Sequence, residues 1–556
     1  MDRRKFLFDL RNDKAVEYEV NRYKTLSEVT SYSLEKYNGN FSYPEARHLL
    51  SRTLFGANPV EIEEAASDGL EATLDKLLQI NPISDAPLVI SRNDSIPYGD
   101  TFIDAPVNQD VNKRLESMLS WWSMRFFKGD RDISEKLTLF WTNHYSIESS
   151  VVRDSRYLYR YYKLLHDNSL GNFRELTKSV TIDLAMLQYL NGAQNIVQAP
   201  NENYARELFE LFSVGKGSQI EPGNYTNYTE KDILAAARCL TGWILNRRQS
   251  ENQFEASYVD FLHDKDDKQF SLIFGNRVIS NQGADEYKVL IDMIYESDKA
   301  AHYLAKKLYI YFVNDQIDDN VELGIIQPLA KIIFDNDYEV KPALRALLQS
   351  EHFFDVGLRG SMIKVPFEFM GDLIHKLEFD LSNSDFSREY RNYFELLVSA
   401  SSVLEQTLSD PPSVAGWPAY YQEPMKYRMW LNSVTLPIRQ RYSDALIAVG
   451  YRNRTNRDII SYDTIGYIEK YVDDPSNEYN IIRRLAEILY PIEISEERIE
   501  FFRGAIIPEG QPDYLWQFLW GQYQSDKDNE TVKTQVDYLL KSLLLQMCAS
   551  AEFHLN

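Results

Sequence analysis

The sequence predicts a mainly α-helical protein, a large multi-helix fold with a small β-hairpin element around residues 250–280. Apolar residues recur at helical spacing along most of the 556-residue chain. Capping patterns such as Ser42-Tyr43-Pro44-Glu45 precede several of these stretches. The helical pattern changes to alternation at Phe254–Phe261, and Gly275-Asn276 marks a turn between two apolar runs.

Composition and charge exclude several classes of protein. Hydrophobic residues make up 44% of the chain and aromatic residues 13%, which is enough for globular cores and excludes disorder. A net charge of -23 argues against nucleic-acid binding, because an acidic surface releases no counterions from phosphates. No segment reaches the length of a transmembrane helix, so no membrane span is expected. The two cysteines, Cys239 and Cys548, do not indicate a disulfide framework.

Residues 1–40 are expected to form a separate N-terminal segment. Arg3-Arg4 resembles the start of a twin-arginine export signal, but Phe8–Lys14 carries charges where such a signal has an apolar stretch. The missing apolar region predicts a cytoplasmic protein. Export is the alternative, because the double arginine is present.

The remaining chain divides into a helical core, residues 41–450, and a C-terminal helical region, residues 451–556, packed on that core. The first core helices begin at the Ser42 capping box and at Asn58-Pro59. Prolines interrupt residues 81–110 without periodicity, which predicts a long loop of functional or flexible character. Residues 246–283 are the expected β-hairpin insert.

Two core helices carry ionisable groups on apolar faces. In the helix expected at 134–147, His144 shares a face with Leu137, Phe140 and Trp141, so we expect it to point into the core. A single helix is expected over Asn172–Leu190. It places Asp183 on a buried stripe, where an unpaired carboxylate is costly. The structural alternatives are a hydrogen-bonded core histidine and a carboxylate that pairs helices.

The stretch Pro200–Gly215 predicts a two-faced helix, with Asn201 as its cap and Gly215 as its left-handed end. Its apolar face belongs to a core. Its other face is a polar arc of four residues, which are Asn203, Arg206, Glu207 and Glu210. On its own the polar arc is typical of a solvated surface. Beside an inward-facing His144 and Asp183, we expect it to face protein instead of water.

Short motifs along the chain, over residues 44 to 450, resemble the bacterial DUF1800 family, which is named for its lack of assigned function. The motifs are Arg47-His48-Leu49-Leu50, Phe140-Trp141-Thr142-Asn143-His144-Tyr145, Met186–Asn191, Pro200–Gly215, Thr241-Gly242-Trp243, His263-Asp264 and Gly416-Trp417-Pro418. Members commonly begin with a twin-arginine signal and are often encoded beside DUF1501 proteins, which look sulfatase- or phosphatase-like. The resemblance therefore implies a DUF1501-type protein as a partner.

The polar residues of these motifs form the candidate site. His144, Asp183, Glu207 and Glu210 are the candidates for acid, base or metal ligation. The candidates for substrate binding are Asn191, Asn203, Arg206, Trp243, His263, Asp264 and Trp417. A divalent cation is the candidate cofactor, because histidine, carboxylate and amide groups in one pocket can hold a metal and activate water. The run His263–Asp267 is otherwise expected to be a solvated acidic turn.

Two functions from different classes remain open, and with them whether the protein is an enzyme. In the first, the protein is a helical scaffold or binding partner whose buried polar residues fix one packing. In the second, it is a metal-assisted hydrolase acting on a polar substrate such as a glycan or phosphosaccharide. The sequence contains no His-Glu-x-x-His motif, nucleophile elbow or phosphate-binding glycine loop.

Overall fold

A computed structural model describes residues 29–106, 114–246, 254–418 and 425–556, and the mainly α-helical class is confirmed in these ranges. Residues 1–28, most of the expected N-terminal segment, lie outside them. The α-helices of the first half are Tyr43–Thr53, Pro59–Asp68, Leu70–Leu77, Arg114–Lys128, Ser134–His144, Ser149–Val152, Ser155–Asp167, Phe173–Thr181, Leu184–Tyr189, Glu202–Glu207, Glu230–Cys239, Glu286–Ile294 and Lys299–Phe312. Those of the second half are Asp319–Val321, Gln327–Asp335, Val340–Leu348, Pro366–Lys376, Phe386–Tyr393, Ala400–Val403, Thr435–Asp444, Thr464–Tyr471, Glu478–Leu489, Glu496–Ile506, Leu515–Ser525 and Glu530–Cys548.

Strands in the described ranges form short antiparallel pairs, each of two strands. Two of these pairs lie around residues 250–280, where the β-hairpin element is expected. Trp243–Leu245 pairs with Ala256–Tyr258, and Lys268–Gln269 pairs with Val278–Ile279. The other pairs join Gln219–Glu221 to Asn224–Tyr225 and Tyr451–Arg452 to Ile459–Ile460. The sheets are too small to form a layer, so helices supply the packing.

Several helix ends follow the expected capping chemistry. Ser42 and Glu45 form the predicted capping box, in which the Ser42 N–H and hydroxyl both donate to the Glu45 carboxylate. Asn201 caps the central helix by accepting from the Asn203 N–H, and Gly215 has a φ of 67°. These positions were readable because a cap uses only residues adjacent in sequence.

Two helices that we expected to be continuous are not regular. The helix expected over Asn172–Leu190 is broken into Phe173–Thr181 and Leu184–Tyr189, and Asp183 is the N-cap of the second part. The central helix is α-helical only over Glu202–Glu207 and continues as a π-turn over Leu208–Ser213. A wider turn rotates the residues after Glu207 away from the positions of an ideal α-helix.

The apolar side chains form two hydrophobic cores. The first draws mainly on residues 46–367 and the second on residues 369–553. The helix Pro366–Lys376 belongs to both, because Phe367 packs in the first core and Phe369 in the second. The expected C-terminal region, residues 451–556, thus shares its core with side chains from residues 369–447.

Candidate functional site

His144 lies in the first core, as its position on the helix face predicts, and is 1% exposed. Its Nε2 donates to the Phe212 carbonyl at 3.1 Å, and its Nδ1 accepts from Lys307 Nζ at 2.9 Å. Burial, followed by the nearby Lys307 charge, lowers the pKa of His144 well below its usual value. The imidazole is therefore neutral, with its proton on Nε2.

The π-turn at the end of the central helix is held by side chains from other helices. Lys307 Nζ donates to the Leu211 carbonyl at 3.1 Å, and His144 holds the next carbonyl, that of Phe212. The Ser213 hydroxyl donates to Leu208 O within the turn. Carbonyl groups near a helix end lack partners in the helix itself, so these contacts give the wider turn its hydrogen bonds.

Asn143, the residue before His144, connects the motif that contains His144 with the motif Gly416-Trp417-Pro418. Asn143 Oδ1 accepts the Trp417 N–H at 2.8 Å, and Trp417 is 2% exposed. Gly416, with a φ of 80°, lies so close that a Cβ would stand 2.7 Å from Asn143 O. Trp417, a candidate for substrate binding, is thus a core residue locked to the end of the helix Ser134–His144.

The carboxylates of the central helix lie at the boundary of protein and solvent. Glu207 is half-buried, and none of the described residues donates a hydrogen bond to it. Burial, followed by the charge of Glu210, raises the pKa of Glu207 to about 7. Glu210 forms an ion pair with Lys216 and accepts from the Tyr228 hydroxyl at 3.2 Å. Glu207 therefore has the environment of a group that exchanges protons near neutrality.

The expectation that the whole polar arc faces protein is wrong for Asn203, which is exposed. The reason is that Asn203 lies in the first turn of the central helix, where its side chain is left in solvent. Arg206 forms ion pairs with Glu230 at 2.7 Å and Glu202 at 3.1 Å, and its side chain is 34% exposed. It is a surface ion-pair residue with a partner on the helix Glu230–Cys239.

Asp183 lies beside Trp243 in a cleft of about 350 Å³ that also includes Arg160 and Phe254. Its Oδ1 accepts the Ala185 N–H at 2.8 Å, as an N-cap does. Burial raises the pKa of Asp183 to about 7, against the lowering effect of the cap hydrogen bonds. Asn191 lines a separate cleft of about 470 Å³ and has a left-handed backbone with φ 56°.

The interpretation of residues His263–Asp267 as a solvated acidic turn is wrong for its first two members. His263 is 3% exposed and Asp264 is 7% exposed. His263 Nδ1 donates to Thr241 O at 2.9 Å, and its Nε2 lies 3.2 Å from Glu286. Glu286 also pairs with Lys268 at 2.6 Å, where both side chains are 0% exposed. A buried carboxylate is costly without a partner of opposite charge, and so is a buried ammonium. The pairing of Glu286 with Lys268 therefore accounts for the burial of this turn.

Asp264 has a different partner. It accepts two hydrogen bonds from Arg238, at 2.6 and 3.0 Å. Burial alone raises the pKa of a carboxyl group, but the bonds from Arg238 and from the Asp266 N–H outweigh burial and lower the pKa of Asp264. The predicted site residues thus belong to several networks, and no group of three or more His, Cys, Asp or Glu side chains within the described residues is arranged to hold a metal ion.

The sequence model of one family, described as "Protein of unknown function (DUF1800)", matches residues 48–554. The chain belongs to the DUF1800 family. No curated protein and no solved structure matches it. The match continues through residues 451–554, so the C-terminal helices are part of the DUF1800 pattern together with the motif-bearing helices. None of the helices in the described ranges is long and apolar enough to cross a lipid bilayer.

Sequence reasoning missed one feature of this DUF1800 protein, a cleft of about 1060 Å³ that we call the lysine cleft. Six lysines line it with His302 and two aspartates. The lysines are Lys216, Lys299, Lys306, Lys307, Lys331 and Lys426. Its signal in the sequence is the spacing of Lys299, His302, Tyr303, Lys306 and Lys307, which places all five on one face of a helix.

Proposed function

We propose that this DUF1800 protein is a helical scaffold or binding partner, and that its partner is a DUF1501-type protein of the sulfatase- or phosphatase-like kind. The scaffold role is supported by the contacts of the candidate residues, because other residues of the same chain occupy their hydrogen-bonding groups. His144, His263 and Trp417 are almost fully buried. His144 and His263 bond to backbone carbonyls of other segments, and the Trp417 N–H donates to the side-chain Oδ1 of Asn143. The partner is proposed from the family resemblance.

A catalytic acid or base has to reach the proton that it transfers, directly or through one water molecule. His144 and His263 are 1% and 3% exposed, and both ring nitrogens of each are within hydrogen-bonding distance of protein atoms. Networks of this kind fix a single packing of helices and loops. A rigid surface of fixed shape is what a scaffold presents to its partner.

The test is direct binding between the purified chain and a DUF1501-type protein from the same genome. Size-exclusion chromatography with light scattering is expected to show a complex, and calorimetry its affinity. A DUF1501-type protein from an unrelated genome is the matched control. Absence of a complex between two folded proteins at about 50 µM, where a micromolar Kd gives near-complete binding, refutes the proposal.

A metal-assisted or acid–base hydrolase of glycans or phosphosaccharides is the second candidate, and the environment of Glu207 favours it. A half-buried carboxyl with a pKa of about 7 suits general acid–base catalysis at neutral pH. Glu207→Gln is expected to abolish hydrolysis of glycan or phosphosaccharide substrates without loss of folding. Glu202→Gln, which changes a carboxylate on the same helix that pairs with Arg206, is the control.

Metal content separates the two versions of this hydrolase. Elemental analysis of the purified chain, followed by melting with and without a chelator, tests for a bound divalent cation. A stoichiometric metal with a lower melting temperature after chelation supports the metal-assisted version. Hydrolysis that survives chelation and depends on Glu207 supports acid–base catalysis alone. Equal hydrolysis by the wild type and Glu207→Gln refutes both.

A further inference from the structure

We propose that the lysine cleft binds a ligand of saccharide or nucleotide size that carries two or more phosphate or sulfate groups. This proposal does not depend on the DUF1501-type partner or on hydrolysis. It follows from the shape, charge and hydrogen-bonding groups of the cleft.

Two helices form the walls of the lysine cleft. The helix Lys299–Phe312 contributes residues at positions i, i+3, i+4, i+7, i+8 and i+11, which are Lys299, His302, Tyr303, Lys306, Lys307 and Ile310. The helix Gln327–Asp335 contributes residues with the same periodicity, which are Gln327, Ala330, Lys331, Phe334 and Asp335. Each helix therefore presents one face to the cleft. The loop 214–217 closes one side and brings Lys216 to it.

The charge of the lysine cleft is opposite to that of the whole chain. The chain has a net charge of -23, yet six lysines and only two aspartates line this cleft. Three of the six lysines already have a carboxylate partner, because Asp335 lies 2.6 Å from Lys331, Glu210 pairs with Lys216, and Glu322 lies 3.7 Å from Lys306. The lysines still outnumber the carboxylates in and beside the cleft. A cleft with several like charges focuses its field and attracts counterions of the opposite sign. An anionic ligand is the species that this field favours.

Two lysines on the inner wall meet oxygen atoms that carry no charge. Lys299 Nζ donates to Thr226 O at 3.0 Å, and Lys307 Nζ donates to Leu211 O at 3.1 Å. Burial lowers the pKa of Lys299, and it lowers the pKa of Lys307 to about 7. An anion near these amines would favour their charged forms and so restore part of the lost affinity for protons. This wall of the cleft therefore favours a negatively charged ligand.

The size of the cleft and its other lining residues restrict the ligand further. A volume of about 1060 Å³ is far larger than a single phosphate ion needs, and it matches the clefts that hold small organic ligands, roughly 300–1000 Å³. Tyr303 and Phe334 offer apolar surface for the body of the ligand. Asn227 and His302 offer polar groups. The more exposed lysines, such as Lys216, Lys306 and Lys331, are spread around this volume and can contact separate tetrahedral anions.

Calorimetry on the full chain tests the proposal with defined probes, which are inositol hexakisphosphate, sucrose octasulfate and inorganic phosphate. We expect binding of at least one polyanion, weaker binding of inorganic phosphate, and none of uncharged myo-inositol or sucrose. The tighter of the two polyanions identifies phosphate or sulfate as the preferred group. Affinity is expected to fall as sodium chloride rises, because the contacts are charged.

Substitutions then assign the binding to the cleft. The double variant Lys299→Gln and Lys331→Gln is expected to bind the preferred polyanion at least tenfold more weakly. Lys527→Gln, on an exposed lysine outside the cleft, is the matched control. Lys331 is 73% exposed, so Lys331→Gln alone keeps the fold and gives a second, smaller loss. The proposal is overturned by no polyanion binding at 0.1 mM, by an equal loss in the control, or by tighter binding of a polyglutamate peptide.

Discussion

Replacing Gly416 by alanine tests the connection between the motifs that contain Asn143 and Trp417. Gly416 has a φ of 80°, and its added Cβ would lie 2.7 Å from Asn143 O and 2.8 Å from Asn143 Cγ. Real Cβ atoms do not approach other atoms so closely, so either the loop or the end of the helix Ser134–His144 has to move. Movement of either breaks the bond from Trp417 N–H to Asn143 Oδ1.

The expected cost has two separable parts. A left-handed backbone costs an L-residue with a side chain about 1–2 kcal/mol. Forcing an extra methyl group into a packed site typically costs a further 1–3 kcal/mol or so. We therefore expect Gly416→Ala to lower the free energy of unfolding by about 2–5 kcal/mol. Gly510 has a φ of 84° but open space around it, so Gly510→Ala measures the first part alone.

Urea unfolding followed by tryptophan fluorescence measures these differences, since Trp417 is itself a buried reporter. A third variant, Gly521→Ala, changes a helical glycine with open space around it and is expected to stabilise by up to about 1 kcal/mol. Removing the obstructing side chain with Asn143→Ala should make the effect of Gly416→Ala smaller, a non-additivity typical of residues in contact. If Gly416→Ala costs no more than Gly510→Ala, the close approach to Asn143 is not what constrains this loop.

Three further predictions concern buried ionisable groups. Glu286→Gln removes the buried partner of Lys268 and should cost about 3–5 kcal/mol in urea unfolding, whereas adding Lys268→Met recovers part of this loss. Strict additivity of the two changes would contradict the pairing. The pKa of Asp183 is about 7 in the folded chain, whereas an aspartate in an unfolded chain has a pKa of about 4. Asp183 therefore contributes to folding stability at low pH, and this contribution is lost as pH rises from the lower value to the higher. Asp183→Asn, which keeps a cap acceptor, should flatten that part of the stability profile, and an unchanged profile would exclude the shift. Burial raises the pKa of both Cys239 and Cys548, so a thiol reagent should label neither in the folded chain and both in urea, and rapid labelling of the folded chain would show that one of them is accessible.

The structural features that the sequence predicts well are those that depend on neighbouring residues. The caps at Ser42 and Asn201 and the helical end at Gly215 depend on residues within a few positions of each other, and each is present. The inward direction of His144 follows from the apolar periodicity of its own helix. The helix break before Asp183 also has a local signal, since an aspartate before an apolar run is an N-cap pattern. Apolar residues at helical spacing on both sides of Asp183 nevertheless predict one continuous helix.

The remaining features depend on contacts between distant segments. The π-turn receives its bonds from His144, which is 68 residues away from Phe212, and from Lys307, which is 96 residues away from Leu211. The burial of His263 depends on Glu286, 23 residues further along the chain. The lysine face of Lys299–Phe312 was readable as a pattern, but a polar helix face is usually solvated. Only the opposite helix and the loop 214–217 convert this face into a cleft.

The helix Pro366–Lys376 has a consequence for how the molecule unfolds. It contributes Phe367 to one core and Phe369 to the other, and its Asp372 holds two buried ammonium groups, Lys364 at 2.6 Å and Lys376 at 2.8 Å. Loss of either core would expose one apolar face of this helix and release a charged triad from its fixed geometry. We therefore expect the two cores to melt in one cooperative transition, and we expect neither residues 29–365 nor residues 377–556 to fold alone.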